Sequence, residues 1–387
     1  MNNNYLYKNK SSSELILIQN KSHLKQDKLK TFFVNNGVLD LSFGVYDDEK
    51  QYVKFELYSN GDIKYDIDFI NEDLKEKIKI NKQSDETVFF IGAVRGHWGS
   101  FFIDDISRLW YLLENKATDI KLAYCGKPLS DIQYKLLGYL GVNNNILRIT
   151  ETTQFKQIII AEKSFVCDKF YTENYKTIYS HIAGNIQLSI PKYDKIYFTR
   201  SQLSIRKEVG ENYFEQVFAN NGFKIIAPEK LSLEEQIYLT KNCKILASIE
   251  GTLAHNIVWA SNNITQIILR KQSEIIPRQI LLNQMISNKV VFVDVYYEPL
   301  LGFPINHDDG PFLLLSNKNF MRFSADFKLS TLHVPSKIFM SYIQYFLKCL
   351  SVFLRYILTR LYIMLPDFVT IYWKKLKKNN NISHIKI

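Results

Sequence analysis

From Lys195 to Arg270 the apolar positions switch repeatedly between strand and helix spacing. Ile196, Tyr197 and Phe198 make a short β-branched and aromatic run that ends at Arg200. Tyr213, Phe214, Val217 and Phe218 then recur at helical spacing between Glu211 and Asn220. Asn221-Gly222 closes that helix, Phe223–Ala227 reads as the next strand, and Pro228 ends it. Ser232 with Glu235 three residues on is a capping box and predicts a helix to about Asn242. Lys244–Ile249 is a third strand, Glu250-Gly251-Thr252 turns it into a helix reaching about Ala260, and Ile264–Leu269 is a fourth. Strands alternating with helices of this length predict a parallel sheet covered on both faces, with ligands bound beyond the carboxyl ends of its strands.

The first half reads similarly after a polar start. Leu15–Ile18 is an edge-strand candidate, and the alternation over Gln51–Tyr58 and Asp62–Ile67 about Asn60-Gly61 predicts a β-hairpin. Thr87–Ile91 is a buried strand; after Gly92 comes Arg95-Gly96-His97-Trp98-Gly99 and a helix from about Ser100. Asp119–Tyr124, Asp131–Leu140 and Asn145–Ile149 continue as strand, helix, strand, and Lys156–Ala161 adds another strand. Phe165–His181 reads as a helix leading to the second half, and Asn185–Tyr193, with Pro191, as the linker. Beyond Arg270, Ile275–Ile286 looks helical, Lys289–Val295 is an apolar strand, and Leu300–Phe303 and Pro311–Leu315 return the chain; His307-Asp308-Asp309 is a solvated turn. The fold class is α/β, with an N-terminal α/β domain over 1–190, a C-terminal α/β domain over 191–335 and a helical tail over 336–387.

In the tail, Lys337, Ser341, Gln344, Lys348, Ser351, Arg355 and Thr359 keep to one helical stripe while the residues between them are largely apolar. A wide apolar face with a thin basic stripe suits an amphipathic helix in a membrane interface; no run of about 18 uncharged apolar residues predicts a spanning helix. Tyr372, Trp373, Lys374, Lys375, Lys377 and Lys378 follow, a cluster suited to anionic headgroups. The competing reading packs the tail on the body or on a partner chain.

Composition changes this picture in two ways. The net charge is +10, but residues 336–387 carry nine Lys or Arg against one acid, which leaves the first 335 residues at only +2. A nearly neutral body argues against a nucleic-acid enzyme, whose folded surface would be basic. The cysteines (Cys125, Cys167, Cys243, Cys349) are scattered, which argues against a zinc ribbon or disulfide scaffold and fits a reducing compartment. Met1–Lys10 lacks an apolar run, so the expectation is a cytoplasmic protein, peripherally associated with the inner face of the plasma membrane.

Several short motifs occur in a fixed order. They are Ser107-Arg108-Leu109-Trp110, Arg200, Glu211, Gly222-Phe223, Pro228-Glu229, Ser232-Leu233-Glu234-Glu235-Gln236 and Gly251-Thr252-Leu253-Ala254-His255-Asn256. In this the chain resembles glycosyltransferase family 61, which includes bacterial capsular-polysaccharide transferases. Asp104 falls at the family's aspartate; Ser100 stands where the family has histidine, with His97 one helical turn upstream, and Glu250 precedes Gly251 where many relatives carry His-Gly. The resemblance implies two Rossmann-like domains of GT-B type. It also implies inverting hexosyl or pentosyl transfer in capsular or O-antigen polysaccharide biosynthesis.

Candidate chemistry follows from residue types. Asp104 and His97 are the first candidates for a general base, with Glu250 behind them. Departure of a nucleotide needs cations and backbone N–H groups at the growing negative charge, which points to Arg200, Gly251 and Thr252. His255 and Asn256 lie on the same short helix, and Arg206, Lys207 and Glu211 are placed to close over a donor. No Asp-x-Asp pair follows a buried strand, so the expectation is a metal-independent enzyme with no cofactor. Its partners would be a nucleotide-sugar donor, a glycan or lipid-linked acceptor and an anionic membrane, with no nucleic acid. The alternative is an inactive nucleotide-sugar- or glycan-binding subunit of a membrane polysaccharide-assembly complex; a phosphotransferase would need a Gly-rich Lys-Ser/Thr loop that this sequence lacks.

Overall fold

The computed structural model describes residues 5–9, 18, 21–41, 44–53, 78–117, 119–142, 145–203, 207–261, 263–305, 309–332 and 335–364. The expected hairpin about Asn60-Gly61, Leu15–Leu17, Arg206, His307-Asp308 and the lysine cluster at 374–378 lie outside these.

The chain forms a mixed α/β structure with two large sheets. In the first, Lys82–Val94 pairs in parallel with Lys121–Gly126 on one side and Thr153–Ala161 on the other, and Ile146–Arg148 lies beyond Lys121–Gly126. Numbered along the chain, these four parallel strands lie in the spatial order third, second, first, fourth. Thr31–Asn35 and Val38–Leu39 pair antiparallel with the outer edge of Thr153–Ala161. Strand order therefore reverses between Lys82–Val94 and Thr153–Ala161, and a crevice for ligand opens at such a reversal, beyond the carboxyl ends.

The second sheet is wholly parallel, in the order Lys224–Ile226, Lys195–Phe198, Ile245–Ile249, Thr265–Arg270, Lys289–Asp294, Tyr5–Tyr7. Its inner strands are largely apolar because helices cover both faces, with Gln266, Arg270 and Asp294 among the buried polar exceptions. Helix Glu211–Asn220 places Phe214, Val217 and Phe218 on one side of the sheet, where Phe214 meets Phe320 edge-to-face at 4.8 Å. Strand order reverses between Lys195–Phe198 and Ile245–Ile249, so Arg200 and Gly251 stand just beyond the reversal. The first strand of the chain, Tyr5–Tyr7, completes the far edge of this sheet against Val291–Val293, so the N-terminal segment belongs with the second sheet.

One apolar cluster runs through both halves. At the seam Trp98 stacks on Phe102 at 5.1 Å, Phe102 on Trp259 at 6.2 Å, and Tyr179 meets Trp259 edge-to-face at 5.1 Å.

Two helices differ from the sequence expectation. The one expected from Ser100 begins at Trp98 and breaks into Trp98–Ile103, a 3₁₀ turn Asp105–Arg108 and Trp110–Asn115. The Phe102, Ile103 and Asp104 carbonyls accept from Tyr179 Oη (2.6 Å), Tyr175 Oη (2.8 Å) and Ser107 Oγ (2.6 Å), and the regular ladder ends there. Asp104 thus caps the C-terminal end of a short helix instead of sitting in its first turn. The helix expected over Phe165–His181 starts only at Glu173, capped by Thr172; a hairpin of Phe165–Val166 and Phe170–Tyr171 precedes it.

The described part of the tail lies in one helix, Pro335–Met364, seated through Tyr345 and Cys349 on Val209 and Leu313. Among the described residues no helix is long and apolar enough to cross a membrane.

Candidate active site

The helices that follow the two strand-order reversals abut each other. A Cβ built on Gly99 would lie 2.8 Å from Thr252 Oγ1, so only glycine lets the Trp98–Ile103 helix approach helix Thr252–His255 this closely. Just beyond this contact an ion pair bridges the halves. Asp104 Oδ2 accepts from Arg278 Nη2 of the second half at 3.1 Å and from Arg95 Nη2 of the first at 3.2 Å. Asp104 is 2% exposed, and burial of a carboxylate is tolerable here because two guanidinium groups meet it. Burial acts to lower the pKa of Arg278, but Asp104, joined by Cys167 and Tyr175, more than offsets it, and the net shift is upward.

Asp105 has a different environment. It is buried, and Arg95 Nη2 reaches its Oδ1 only at 3.9 Å. Its Oδ2 has no hydrogen-bond partner among the described residues. Desolvation dominates, and pushes its pKa up to about 7 against the pull of Arg95.

On the other side of the contact lies a cationic turn. Gly251 has φ +119 and ψ −154, a backbone conformation open almost only to glycine. The place where its Cβ would stand is 3.7 Å from Arg200 Nη1 and 3.7 Å from Lys271 Nζ. Two cations therefore converge on one bare backbone turn. Glu208 lies between them, 3.6 Å from Arg200 Nε and 3.5 Å from Lys271 Nζ. Lys271 is held over the Phe312 ring at 4.2 Å and is itself buried. Arg270 organises the loop that carries it: Nη1 donates to Asp294 Oδ1 at 2.8 Å, and Nη2 donates to the carbonyls of Gln272, Ser273 and Glu274.

The sequence candidates divide by position. Arg200, Gly251 and Thr252 gather at the cationic turn, and Asp104 lies at the bridge. Glu250 is buried beside Arg270, its Oε1 3.6 Å from Arg270 Nε; burial raises its pKa, and Arg270 and Lys271 lower it less. Glu211 is buried under the strand end, where it accepts from the Arg200 backbone N–H at 3.0 Å and from Thr199 Oγ1 at 3.3 Å. Burial pushes its pKa up to about 8. Its placement orients Arg200 from beneath. His255 is buried, and its Nδ1 meets Gln279 Oε1 at 2.7 Å; burial, helped by Arg278, lowers its pKa to about 4, so the ring is neutral and Nδ1 is its donor. Asn256 is buried and donates to the Leu253 carbonyl at 3.2 Å. His97, by contrast, is exposed at the N-terminus of its helix.

Arg95, Asp105, Lys271 and Arg278 complete the arrangement and were not among the sequence candidates. The Ser107-Arg108-Leu109-Trp110 motif proves to be a tether: Arg108 donates to the Ala161 carbonyl, Trp110 Nε1 to the Glu162 carbonyl at 2.8 Å, and the Ser164 N–H to the Ser107 carbonyl at 3.0 Å. It fixes the segment bearing Asp104 and Asp105 to the end of strand Thr153–Ala161. Among the described residues no group of three or more His, Cys, Asp or Glu is placed to hold a metal ion.

No curated protein matches the sequence. Residues 98–268, from the helix that leads to Asp104 to the strand that ends at Arg270, match the family model described as Glycosyltransferase 61, and over that stretch the chain is similar to this family.

Proposed function

We propose that the chain moves a sugar from a nucleotide-sugar donor to a hydroxyl of a glycan or lipid-linked acceptor, with inversion at the anomeric carbon. The observation that carries this reading is the convergence of Arg200 and Lys271 on the bare turn at Gly251. A departing nucleoside diphosphate needs a place where its charge is met and where backbone can approach closely, and this turn supplies both. The two cations take the role that a divalent ion plays in metal-dependent transferases, so the reading is of a metal-independent enzyme.

In the reaction, the acceptor hydroxyl attacks the anomeric carbon as the bond to the diphosphate breaks. The electron pair of that bond goes to the phosphate oxygen, opposite Arg200 and Lys271. The hydroxyl proton passes to a carboxylate of the first half. Asp105 is the better placed of the adjacent pair, because Asp104 Oδ2 is engaged by Arg95 and Arg278 whereas Asp105 Oδ2 is unmatched. A carboxyl whose pKa lies near 7 can also take and release a proton near neutral pH.

The two-sheet arrangement, each with its strand-order reversal turned to a shared seam, supports a GT-B reading. Residues 191–335 would bind the donor and residues 1–190 the acceptor. The pathway, bacterial surface polysaccharide synthesis of capsular or O-antigen type, is proposed from the family likeness. The test is release of nucleoside diphosphate from a panel of nucleotide sugars incubated with acceptor glycans. Turnover with one donor, lost in Arg200→Ala and Lys271→Ala while both variants stay folded, is expected. Turnover undiminished in both variants would rule this site out.

A further inference from the structure

Helix Pro335–Met364 is thirty residues long, about 45 Å at 1.5 Å per residue, yet it meets the body through a narrow face. Tyr345 and Cys349 are buried there; Phe339, Phe346, Leu347, Leu350, Phe353 and Leu354 are all 45–66% exposed. At about 100° per residue these six fall within an arc of about 120°, away from the body. The polar stripe Ser341, Gln344, Lys348, Ser351 and Arg355 lies on the opposite flank. Apolar surface of this extent is rare on a soluble monomer and marks a contact with something else.

The charge of the tail identifies the occupant. Beyond Met364 the sequence continues through Tyr372-Trp373 to Lys374, Lys375, Lys377 and Lys378, and Asp367 is the one acid from Ser336 to the end. A second copy laid on the same arc would bring two tails of charge +8 together. An anionic bilayer instead meets the apolar arc with acyl chains and the lysines with headgroups. We infer that helix Pro335–Met364 lies on an anionic membrane surface with its exposed arc immersed.

The same helix walls a cavity of about 360 Å³ with Ser341, Gln344 and Lys348, closed on the body side by Glu208, Gly210 and Tyr213. Glu208 is the carboxylate between Arg200 and Lys271. The membrane-lying helix is therefore one side chain away from the cationic turn. On the transfer reading above, a lipid-linked acceptor would enter the site along it.

The experiment is sedimentation of the full chain with vesicles, without donor, so that its outcome is independent of catalysis. Vesicles of phosphatidylcholine and phosphatidylglycerol at about three to one should carry the protein down, and phosphatidylcholine alone should carry much less. Binding should weaken in about 0.5 M salt, where screening shrinks to ~4 Å. The triple variant Leu347→Glu, Leu350→Glu, Phe353→Glu, checked for an unchanged melting temperature, should bind at least about tenfold more weakly. The combined variant Lys374→Glu, Lys375→Glu, Lys377→Glu, Lys378→Glu should abolish the preference for phosphatidylglycerol. Two outcomes would overturn the inference. One is wild-type protein that ignores phosphatidylglycerol vesicles. The other is a wild-type dimer in sedimentation analysis that the triple variant loses, which would give the arc to a second copy.

Discussion

Replacing Asp105 by Asn should make the protein more stable at alkaline pH and less active. Burial lifts this carboxyl from 3.8 to about 7. At about 1.4 kcal/mol per pH unit, keeping it ionised inside the fold costs on the order of 4 kcal/mol once the pH exceeds 7. The neutral amide avoids that cost but brings an N–H into a place where Asp105 Oδ2 finds no partner among the described residues, which returns ~1–3 kcal/mol. The net expectation is a gain of about 1–3 kcal/mol at pH 8. The sign follows from proton linkage. Between about pH 4 and 7 the native Asp105 holds a proton that the unfolded chain has lost, so its contribution to stability is full below pH 4 and is lost as pH rises to about 7. Below pH 4 the ionisation cost is absent, and the gain should turn into a deficit of about 1–3 kcal/mol left by the unmatched N–H. Glu211 gives a slope of the same sign up to about pH 8, in both proteins, so the wild-type-minus-variant difference isolates Asp105. Urea unfolding at pH 4 and pH 8 measures it. Turnover should fall by about 10²–10⁴, with donor KM little changed, and the rising limb of the pH–rate profile near pH 7 should disappear. A variant less stable than wild type at pH 8, or one that keeps the limb and full turnover, would refute the reasoning.

Three further outcomes are expected. Gly251→Ala forces a side chain into φ +119 beside two cations, and should cost about 1–3 kcal/mol in urea unfolding as well as weakening nucleotide binding by calorimetry. Arg278→Ala leaves Asp104 buried with fewer cations, which should cost on the order of 3–5 kcal/mol; adding Asp104→Asn should recover part of that loss, and a strictly additive double variant would deny the coupling. His255, whose pKa falls to about 4, contributes stability above pH 6.5 that is lost as pH drops toward 4; His255→Gln should flatten the acid limb of a melting-temperature profile over that window.

The parallel second sheet was readable because its strands are short, apolar and separated by capped helices, and Ser232 and Glu235 do form the expected box. Arg200 and Gly251 were readable for the same reason, as the residues just past two such strands. What escaped depends on contacts distant in sequence. Tyr5–Tyr7 is three residues in a polar segment, and only its partner strand 285 or so residues later reveals it. The break at Asp104 is imposed by Tyr175 and Tyr179, about 70 residues downstream. Asp104 and Asp105 look alike in sequence; two guanidinium groups on one and desolvation of the other set them apart. Arg278 did leave a local trace, since a cation directly after Pro277 opposes the positive end of the helix dipole and needs an anion elsewhere. The family match covers residues 98–268, which takes in Asp104, Arg200 and Gly251 but not Arg95, Lys271 or Arg278.

The central claim is that Arg200 and Lys271 at Gly251 bind the diphosphate of a nucleotide sugar. Its most direct test is a thermal-shift screen of wild type, Arg200→Ala and Lys271→Ala against nucleotide sugars and their nucleoside diphosphates. At a hundred times the dissociation constant a ligand stabilises the fold by about 2.7 kcal/mol, a readily measured rise in melting temperature. The account predicts one nucleotide that stabilises the wild type, as sugar conjugate and as free diphosphate, and a loss of that shift in both variants. A wild type stabilised by none of them, or a shift that survives both substitutions, would contradict it.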